Sequence, residues 1–274
     1  MLRVLTAAAI AFASVLPAQA KPQRIMSLNG CTDLLVLKMA PKARVISVTY
    51  RARDAARAFA PGLADGVPTN DGRAEEVAAF RPDLVVAGRF TTPAARALVR
   101  RAGIPLLELD DANSFADIRR IVRQLGAATG EGVRAEAMVA RMDAVLADLA
   151  ARPPAKVRTV AAWSGGGVVP GRGSLAHAVI TAAGAVNIAA RTDDARYGDF
   201  DVEALLRARP DALLQGDPRL THPALRVEQG RHPLVRRLYA GRTIATPETL
   251  YSCGLPESAD AALALRRALD EIRP

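Results

Sequence analysis

The stretch Glu131–Arg152 reads EGVRAEAMVARMDAVLADLAAR and predicts a helix that connects two halves of the molecule. Its apolar residues recur three and four positions apart, on one stripe of a helix: Ala135, Met138, Met142, Val145 and Leu149. Pro153 and Pro154 end the pattern, because proline cannot continue a helix. At 1.5 Å per residue the stretch would span roughly 33 Å, about the width of a small domain. An ordinary amphipathic surface helix is the alternative, and the sequence on either side favours a connecting helix.

Two stretches on either side of this helix repeat one pattern. Residues 75–88 read EEVAAFRPDLVVAG, and residues 203–216 read EALLRARPDALLQG. Each predicts a short helix that ends at Arg-Pro, since the residue before proline is pushed out of the α region. Each then predicts an apolar strand that is buried on both faces, as in parallel sheets. The shared Glu, Pro, Asp and Gly positions favour two related lobes over chance similarity between two helix–strand units.

Strands and helices alternate in both halves, which indicates an α/β protein of two Rossmann-like lobes joined by one long helix. We expect a signal peptide at residues 1–20, an amino-terminal lobe at 21–130, the inter-lobe helix at 131–152 and a carboxy-terminal lobe at 153–274. The helix should hold the lobes at a fixed separation, with a gap between them.

The first residues, Met1–Ala20, have the features of a secretory signal. Arg3 supplies a positive start, Val4–Leu16 an apolar core, and Ala18–Ala20 a small-x-small cleavage site. A lipoprotein signal ending at Cys31 is the alternative, but charged residues separate that cysteine from the apolar core. The sequence therefore predicts a mature protein that begins near residue 21 and is exported to the periplasm.

Composition limits the function classes. The net charge is +9, but aromatic residues make up only 4% of the chain, and the arginines are scattered along predicted helix faces. A nucleic-acid-binding surface would need clustered basic residues interleaved with stacking aromatics, so no nucleic-acid partner is expected. The basic balance slightly favours an anionic ligand. We expect a monomer without a cofactor.

The ligand-binding candidates follow from the strand ends. In open α/β sheets a ligand lies beyond the carboxyl ends of the strands, and two lobes facing each other would form a cleft there. The polar, aromatic and cysteine residues that follow predicted strands are Asn29, Cys31, Tyr50, Arg51, Arg89, Phe90, Trp163, Arg172, Tyr197, Tyr251 and Cys253. Tyr and Trp provide broad contact surfaces, and Arg binds carboxylates or phosphates. For each of them a structural role in loop packing remains open.

The two cysteines allow three arrangements. In an exported protein, Cys31 and Cys253 would form a disulfide across the cleft, remain free thiols, or bind a soft metal or haem iron. The histidines fit no metal-binding spacing, and no catalytic set is evident, so the sequence predicts neither a metal site nor an enzyme. A secreted enzyme on the same scaffold is kept as the alternative.

The residues Arg24–Leu28 (RIMSL), followed by Arg81–Ala87 (RPDLVVA), resemble the cluster A (class III) periplasmic binding proteins. These are the substrate-binding components of ABC importers for vitamin B12, iron–siderophore complexes and haem. The resemblance implies two Rossmann-like lobes, little hinge motion and delivery of a metal chelate to a permease dimer. A haem receptor, with Tyr50 or Tyr251 as axial ligand, is the alternative within the family.

The resemblance also implies a docking surface. In this family one Glu per lobe, at the start of the helix before the Pro-Asp strand, contacts arginines of the permease. Glu75 and Glu203 match those positions, each seven residues before its proline. The alternative is that both are first-turn glutamates favoured by the helix dipole.

Overall fold

The structure is a computed structural model that describes residues 20–163, 168–191, 197–199, 201–216 and 232–272. The predicted signal peptide lies outside the described residues except for Ala20, which is exposed. Within the described residues no helix is both long and apolar enough to cross a membrane.

The first lobe is built on a five-stranded sheet in which every pair of neighbours is parallel, with the strand order β3-β2-β1-β4-β5. The strands are β1 (Ile25–Ser27), β2 (Val45–Thr49), β3 (Thr69–Asn70), β4 (Leu84–Gly88) and β5 (Leu106–Leu109). The helices are α1 (Gly30–Met39), α2 (Arg51–Phe59), α3 (Ala74–Phe80), α4 (Pro93–Arg101) and α5 (Phe115–Thr129). All five residues of β4 are buried, because helices cover both faces of a parallel sheet.

The second lobe repeats this design with a four-stranded parallel sheet in the order β11-β10-β6-β8, and a separate antiparallel pair, β7 with β9. The strands are β6 (Thr159–Ala162), β7 (Val168–Pro170), β8 (Val186–Asn187), β9 (Tyr197–Asp199), β10 (Ala212–Gln215) and β11 (Thr243–Ala245). The helices are α7 (Leu175–Ala182), α8 (Val202–Ala208), α9 (Pro233–Leu238), α10 (Thr249–Ser252) and α11 (Ser258–Glu271). The predicted fold class, α/β with two Rossmann-like lobes, is confirmed.

The connecting helix is α6, Gly132–Ala151. Its buried residues are Ala135, Val139, Met142 and Leu149, and Met138 and Val145 pack against the core from partly buried positions. Gly126 in α5 lets the two helices cross closely, because a Cβ at that position would lie 2.4 Å from the Cβ of Ala135. The lobe boundaries on either side of this helix stay a prediction.

The repeated pattern of the sequence has the same backbone form in both lobes. Arg81 and Arg209, the residues before the prolines, both adopt a left-handed conformation with φ of 45°. Asp83 accepts hydrogen bonds from the backbone N–H groups of Gln23 and Arg24 at 2.7 and 2.8 Å. Its counterpart Asp211 accepts one from the N–H of Thr159 at 2.7 Å. Each aspartate therefore fastens the start of the neighbouring strand, and the resemblance of the two halves extends to their hydrogen bonds.

The lobes are joined by packing as well as by α6. One continuous cluster of buried apolar side chains includes Ile25 and Leu34 of the first lobe and Val160 and Leu214 of the second. Helices α5, α6, α7 and α11 contribute the residues between them. The sequence pattern predicted a connecting helix between separate halves, and it did not predict this shared core.

Candidate ligand-binding cleft

A cavity of about 650 Å³ lies between the lobes, at the carboxyl ends of the parallel strands. The lining includes residues at or just after the carboxyl ends of four strands: Asn29 after β1, Gly88 in β4, Leu109 in β5 and Ala162 in β6. The volume is within the range of small-molecule sites, which is about 300–1,000 Å³. The predicted position of the cleft, beyond the strand ends, is therefore where the structure has its cavity.

Six of the eleven predicted binding residues line this cavity: Asn29, Cys31, Arg89, Phe90, Tyr251 and Cys253. Asn29 also caps α1, since its side-chain oxygen accepts a hydrogen bond from the N–H of Cys31 at 3.0 Å. Gly88 leaves room for this cap, because a Cβ there would lie 3.0 Å from Cγ of Asn29. Phe90 is 80% exposed, so its ring is available at the cavity edge. A role of the six residues in ligand binding stays a prediction.

Tyr50, Arg51, Trp163 and Arg172 are not among the described residues that line the cavity. The guanidinium of Arg51 lies 5.2 Å from the ring centre of Tyr50, and the two form a cation–π pair at the start of α2. Arg172 donates a hydrogen bond to the carbonyl of Ala190 at 3.0 Å. Tyr197 lies in β9, and its side chain is outside the described residues.

The side chain of Trp163 was predicted to face the cleft, and the structure places it elsewhere. It is 1% exposed and packs in the interior of the second lobe with Val169, Leu205 and Leu213. Its neighbour Ala162 lines the cavity instead. Successive side chains of a strand point to opposite faces, and this alternation continues from Ala162 into Trp163.

A disulfide joins Cys31 to Cys253 across the two lobes. Of the three arrangements that the sequence left open, the structure has this one, and the two Cα atoms are 4.9 Å apart. Both cysteines line the cavity, so the bond forms part of its wall. It connects the first turn of α1 with the end of α10.

Two further contacts also cross between the lobes, and each involves a residue close to Cys253 in the sequence. Lys38 in α1 forms an ion pair with Glu257, at the start of α11, with an N–O distance of 2.8 Å. Gly254 packs so closely against Ala112 that an added Cβ would lie 2.4 Å from the Cβ of Ala112. The disulfide, the ion pair and the glycine contact therefore all join the first lobe to residues 253–257 of the second.

Charged side chains at the cavity were partly missed by the sequence reasoning. Asp110, Asp111 and Glu248 line the cavity together with Arg89. Asp110 and Asp111 directly follow β5, so the strand-end rule that selected the other candidates applied to them as well. Glu248 stands two residues after a buried threonine that follows β11, and no sequence signal singled it out.

Tyr251 is the buried phenol of the cavity wall. It is 6% exposed, and burial, reinforced by the nearby carboxylate of Glu248, raises the pKa of its hydroxyl above the ordinary value. At neutral pH the side chain is therefore a neutral phenol that can donate or accept a hydrogen bond. Over the described residues, no group of three or more His, Cys, Asp or Glu side chains is arranged to hold a metal ion.

Comparison with known proteins agrees with this architecture. The family described as periplasmic binding protein matches residues 27–243. An uncharacterized ABC transporter substrate-binding lipoprotein of Bacillus subtilis (strain 168), YvrC, is 25% identical over an alignment of 192 residues, gaps included, and the match covers 58% of this chain and 59% of that protein. The matched region thus spans less than two thirds of the length of this relative.

Solved structures extend the similarity to nearly the whole chain. The periplasmic heme-binding protein RhuT from Roseiflexus sp. RS-1, in its apo form, has a TM-score of 0.73 and 25% identity, and the match covers 91% of this chain and 98% of that one. An ABC-type Fe3+-hydroxamate transport protein from Saccharomonospora viridis DSM 43017 has a TM-score of 0.68 and 19% identity, with 92% and 94% covered. The chain belongs to the periplasmic binding protein family, and it has the two-lobed architecture of the cluster A (class III) members.

Proposed function

We propose that this protein is the substrate-binding protein of an ABC importer, which captures a metal chelate outside the cytoplasm and delivers it to the permease. The observation that carries the proposal is the cavity of about 650 Å³ between two lobes that are fastened together on one side. Such a cleft suits a receptor that encloses a rigid, bulky ligand.

The lining supports a chelate as the ligand. Leu35, Leu109, Ile121 and Leu175 give the cavity apolar surface, and polar groups such as Asn113 are placed among them. This composition is typical of sites in which apolar contact provides affinity and a few polar groups fix the orientation. The names of the similar solved structures, for haem and for Fe3+-hydroxamate, agree with this ligand class.

The binding test uses the single tryptophan of the chain. Trp163 follows Ala162, which lines the cavity, so a ferric or cobalt chelate bound there should quench its fluorescence. We expect saturable quenching by a ferric siderophore or by cobalamin. If neither class of chelate binds at micromolar concentrations, the proposal is refuted.

Glu75 and Glu203 support the proposed docking to a permease. Both are exposed in the first turn of their helices, α3 and α8. The neighbouring carboxylates are used locally, since Glu76 accepts hydrogen bonds from the N–H groups of Asp71 and Arg73, and Asp201 caps α8. Neither Glu75 nor Glu203 has an ion-pair partner within the described parts of the chain. Two outward carboxylates on equivalent helices would seat one receptor monomer on a two-fold permease in a single orientation.

The docking test removes both carboxylates. Glu75→Ala combined with Glu203→Ala should leave chelate binding intact and reduce the stimulation of the permease ATPase in proteoliposomes at least several-fold. The matched control is Asp270→Ala with Glu271→Ala, two exposed acids in the last turn of α11, which should retain full stimulation. Equal stimulation by both double variants would contradict the docking proposal.

A haem receptor is the second candidate, because Tyr251 lines the cavity and RhuT is named as a heme-binding protein. Haem bound through Tyr251 would show a Soret band shifted from that of free haem, and Tyr251→Phe should abolish this shift. Mass spectrometry of the chelate, after incubation with the protein and denaturation, distinguishes a receptor from a secreted enzyme. A receptor releases the chelate with its mass unchanged, and an enzyme releases a product of different mass.

A further inference from the structure

We propose that the cavity selects neutral or cationic chelates and discriminates against anionic ones. The inference rests on the proposed function and adds the charge class of the ligand; it favours a siderophore or cobalamin over the second candidate, haem, whose two propionates make it anionic. It is opposite to the expectation from composition, since a chain with a net charge of +9 favours an anionic ligand.

The charges at the cavity differ in sign from those of the whole chain. Among the described residues that line it, Arg89 is the cation, and Asp110, Asp111 and Glu248 are the acids. The formal charge of this described lining is therefore one positive against three negative. A bound ligand contacts these lining groups directly, whereas exposed charges farther away than a Debye length of about 8 Å are largely screened at physiological salt.

The cation of the described lining, Arg89, is already engaged. The guanidinium of Arg89 lies 3.8 Å from a carboxylate oxygen of Asp111, and its side chain is 67% exposed. An anionic ligand would have to compete with Asp111 for this charge. The pair leaves Asp110 and Glu248 as the remaining charged groups of the described lining.

Asp110 and Glu248 are incompletely compensated. Arg120 contacts Asp110 at 3.2 Å, but its other terminal nitrogen contacts Asp117 at 3.2 Å, so two carboxylates share one guanidinium. Glu248 has no ion-pair partner within the described residues, and it stands beside the buried phenol of Tyr251. The described lining together with Arg120 and Asp117 therefore carries four carboxylates against two guanidinium groups.

Two helix dipoles act in the opposite direction, and they are too weak to reverse the sign. Helices α1 and α7 begin at the cavity, and each brings roughly half a positive charge at its first turn. Both ends are capped: Asn29 accepts from the N–H of Cys31 at 3.0 Å, and Ser174 accepts from the N–H of His177 at 3.2 Å. An anion would therefore compete with these caps for the N–H groups.

The test compares ligands that share one ferric centre and differ in charge. Ferrioxamine B carries a free ammonium group, its N-acetyl derivative is neutral, and its N-succinyl derivative is anionic. We expect the succinyl derivative to bind at least about tenfold more weakly than the free amine, measured by quenching of Trp163 at low salt. The difference should shrink in high salt, because added ions screen the rim charges.

The variant Glu248→Gln should reduce the preference between the amine and the succinyl derivative several-fold without abolishing binding. Glu271→Gln, which removes an exposed acid of α11, is the matched control and should leave the preference unchanged. Equal affinities across the series, or tightest binding of the succinyl derivative, would overturn the inference while leaving the proposed function intact.

A second series covers the other chelate class. Aquacobalamin is cationic, cyanocobalamin is neutral, and a cobalamin monocarboxylate is anionic, and the same order of affinity is expected. If no member of either series binds, the proposed function is refuted, and the charge preference is refuted with it.

Discussion

The disulfide between the lobes makes the most direct prediction about stability. The change is Cys31→Ser together with Cys253→Ser, which removes the bond and leaves two small polar side chains in the cavity wall. The lobes should remain together, because they share a continuous apolar core and the ion pair of Lys38 with Glu257. The unfolded chain, however, gains the freedom that the bond had removed.

The size of the effect follows from the loop that the bond closes. The two cysteines are 222 residues apart in the sequence. In the chain-entropy treatment, closing a loop of this length lowers the entropy of the unfolded chain enough to stabilise the native state by about 5 kcal/mol at 25 °C. Measured values for disulfides are typically about 2–4 kcal/mol. We therefore expect the free energy of unfolding to fall by about 2–5 kcal/mol.

The assay is urea denaturation at pH 7, followed by the fluorescence of Trp163 and by far-UV circular dichroism. The matched control is the unaltered protein in excess reductant, which should give the same midpoint as the double variant. A fall of less than about 1 kcal/mol would refute the entropic argument. Loss of chelate binding in a variant that is still folded would refute the claim that the shared core holds the cleft without the bond.

Two further predictions concern a buried acid and the repeated helix ends. Burial raises the pKa of Asp33 from 3.8 to about 7, so the native state holds a proton that the unfolded chain has released. This contribution to the free energy of unfolding is complete below about pH 4 and is lost as the pH rises to about 7. Asp33→Asn should remove this decline and stabilise the protein at pH 8 by up to about 4 kcal/mol. The measurement is the urea midpoint of both proteins at pH 4 and at pH 8. Arg81→Gly and Arg209→Gly should each stabilise by about 0.5–1 kcal/mol in the same assay, because both arginines have a φ of 45° that glycine adopts freely. Arg81→Ala, which keeps the left-handed penalty, should lack this gain.

The sequence predicted the fold well where a pattern is local. The Arg-Pro-Asp motif and the apolar run after it predicted the helix end and the parallel strand in both lobes. The role of Asp83 was not predictable, because its partners, the N–H groups of Gln23 and Arg24, lie about 60 residues earlier in the chain. The contact of Asp211 with Thr159 was not predictable for the same reason, since the two residues are 52 positions apart in the sequence.

The sequence predicted that the cavity lies at the carboxyl ends of the strands. It did not predict which individual side chains line the cavity. Asn29 and Arg89, which follow β1 and β4, reached the cavity. Tyr50 and Arg51, which follow β2, did not, and their side chains pair with each other. The direction of Trp163 depends on the pleat of β6, which a sequence pattern of a few residues does not determine.

The predicted charge of the ligand shows that amino-acid composition does not tell where in the structure the charged residues lie. Net charge is a sum over the whole chain, and among the described arginines only Arg89 lines the cavity. A receptor whose lobes are fastened by a disulfide has little freedom to bring distant charges to its ligand, so selection depends on the groups already at the walls. In the described lining these groups are Arg89 and three carboxylates, Asp110, Asp111 and Glu248. For that reason the charge preference of the cavity is tested by ligands that differ only in charge. The isoelectric point of the protein does not predict it.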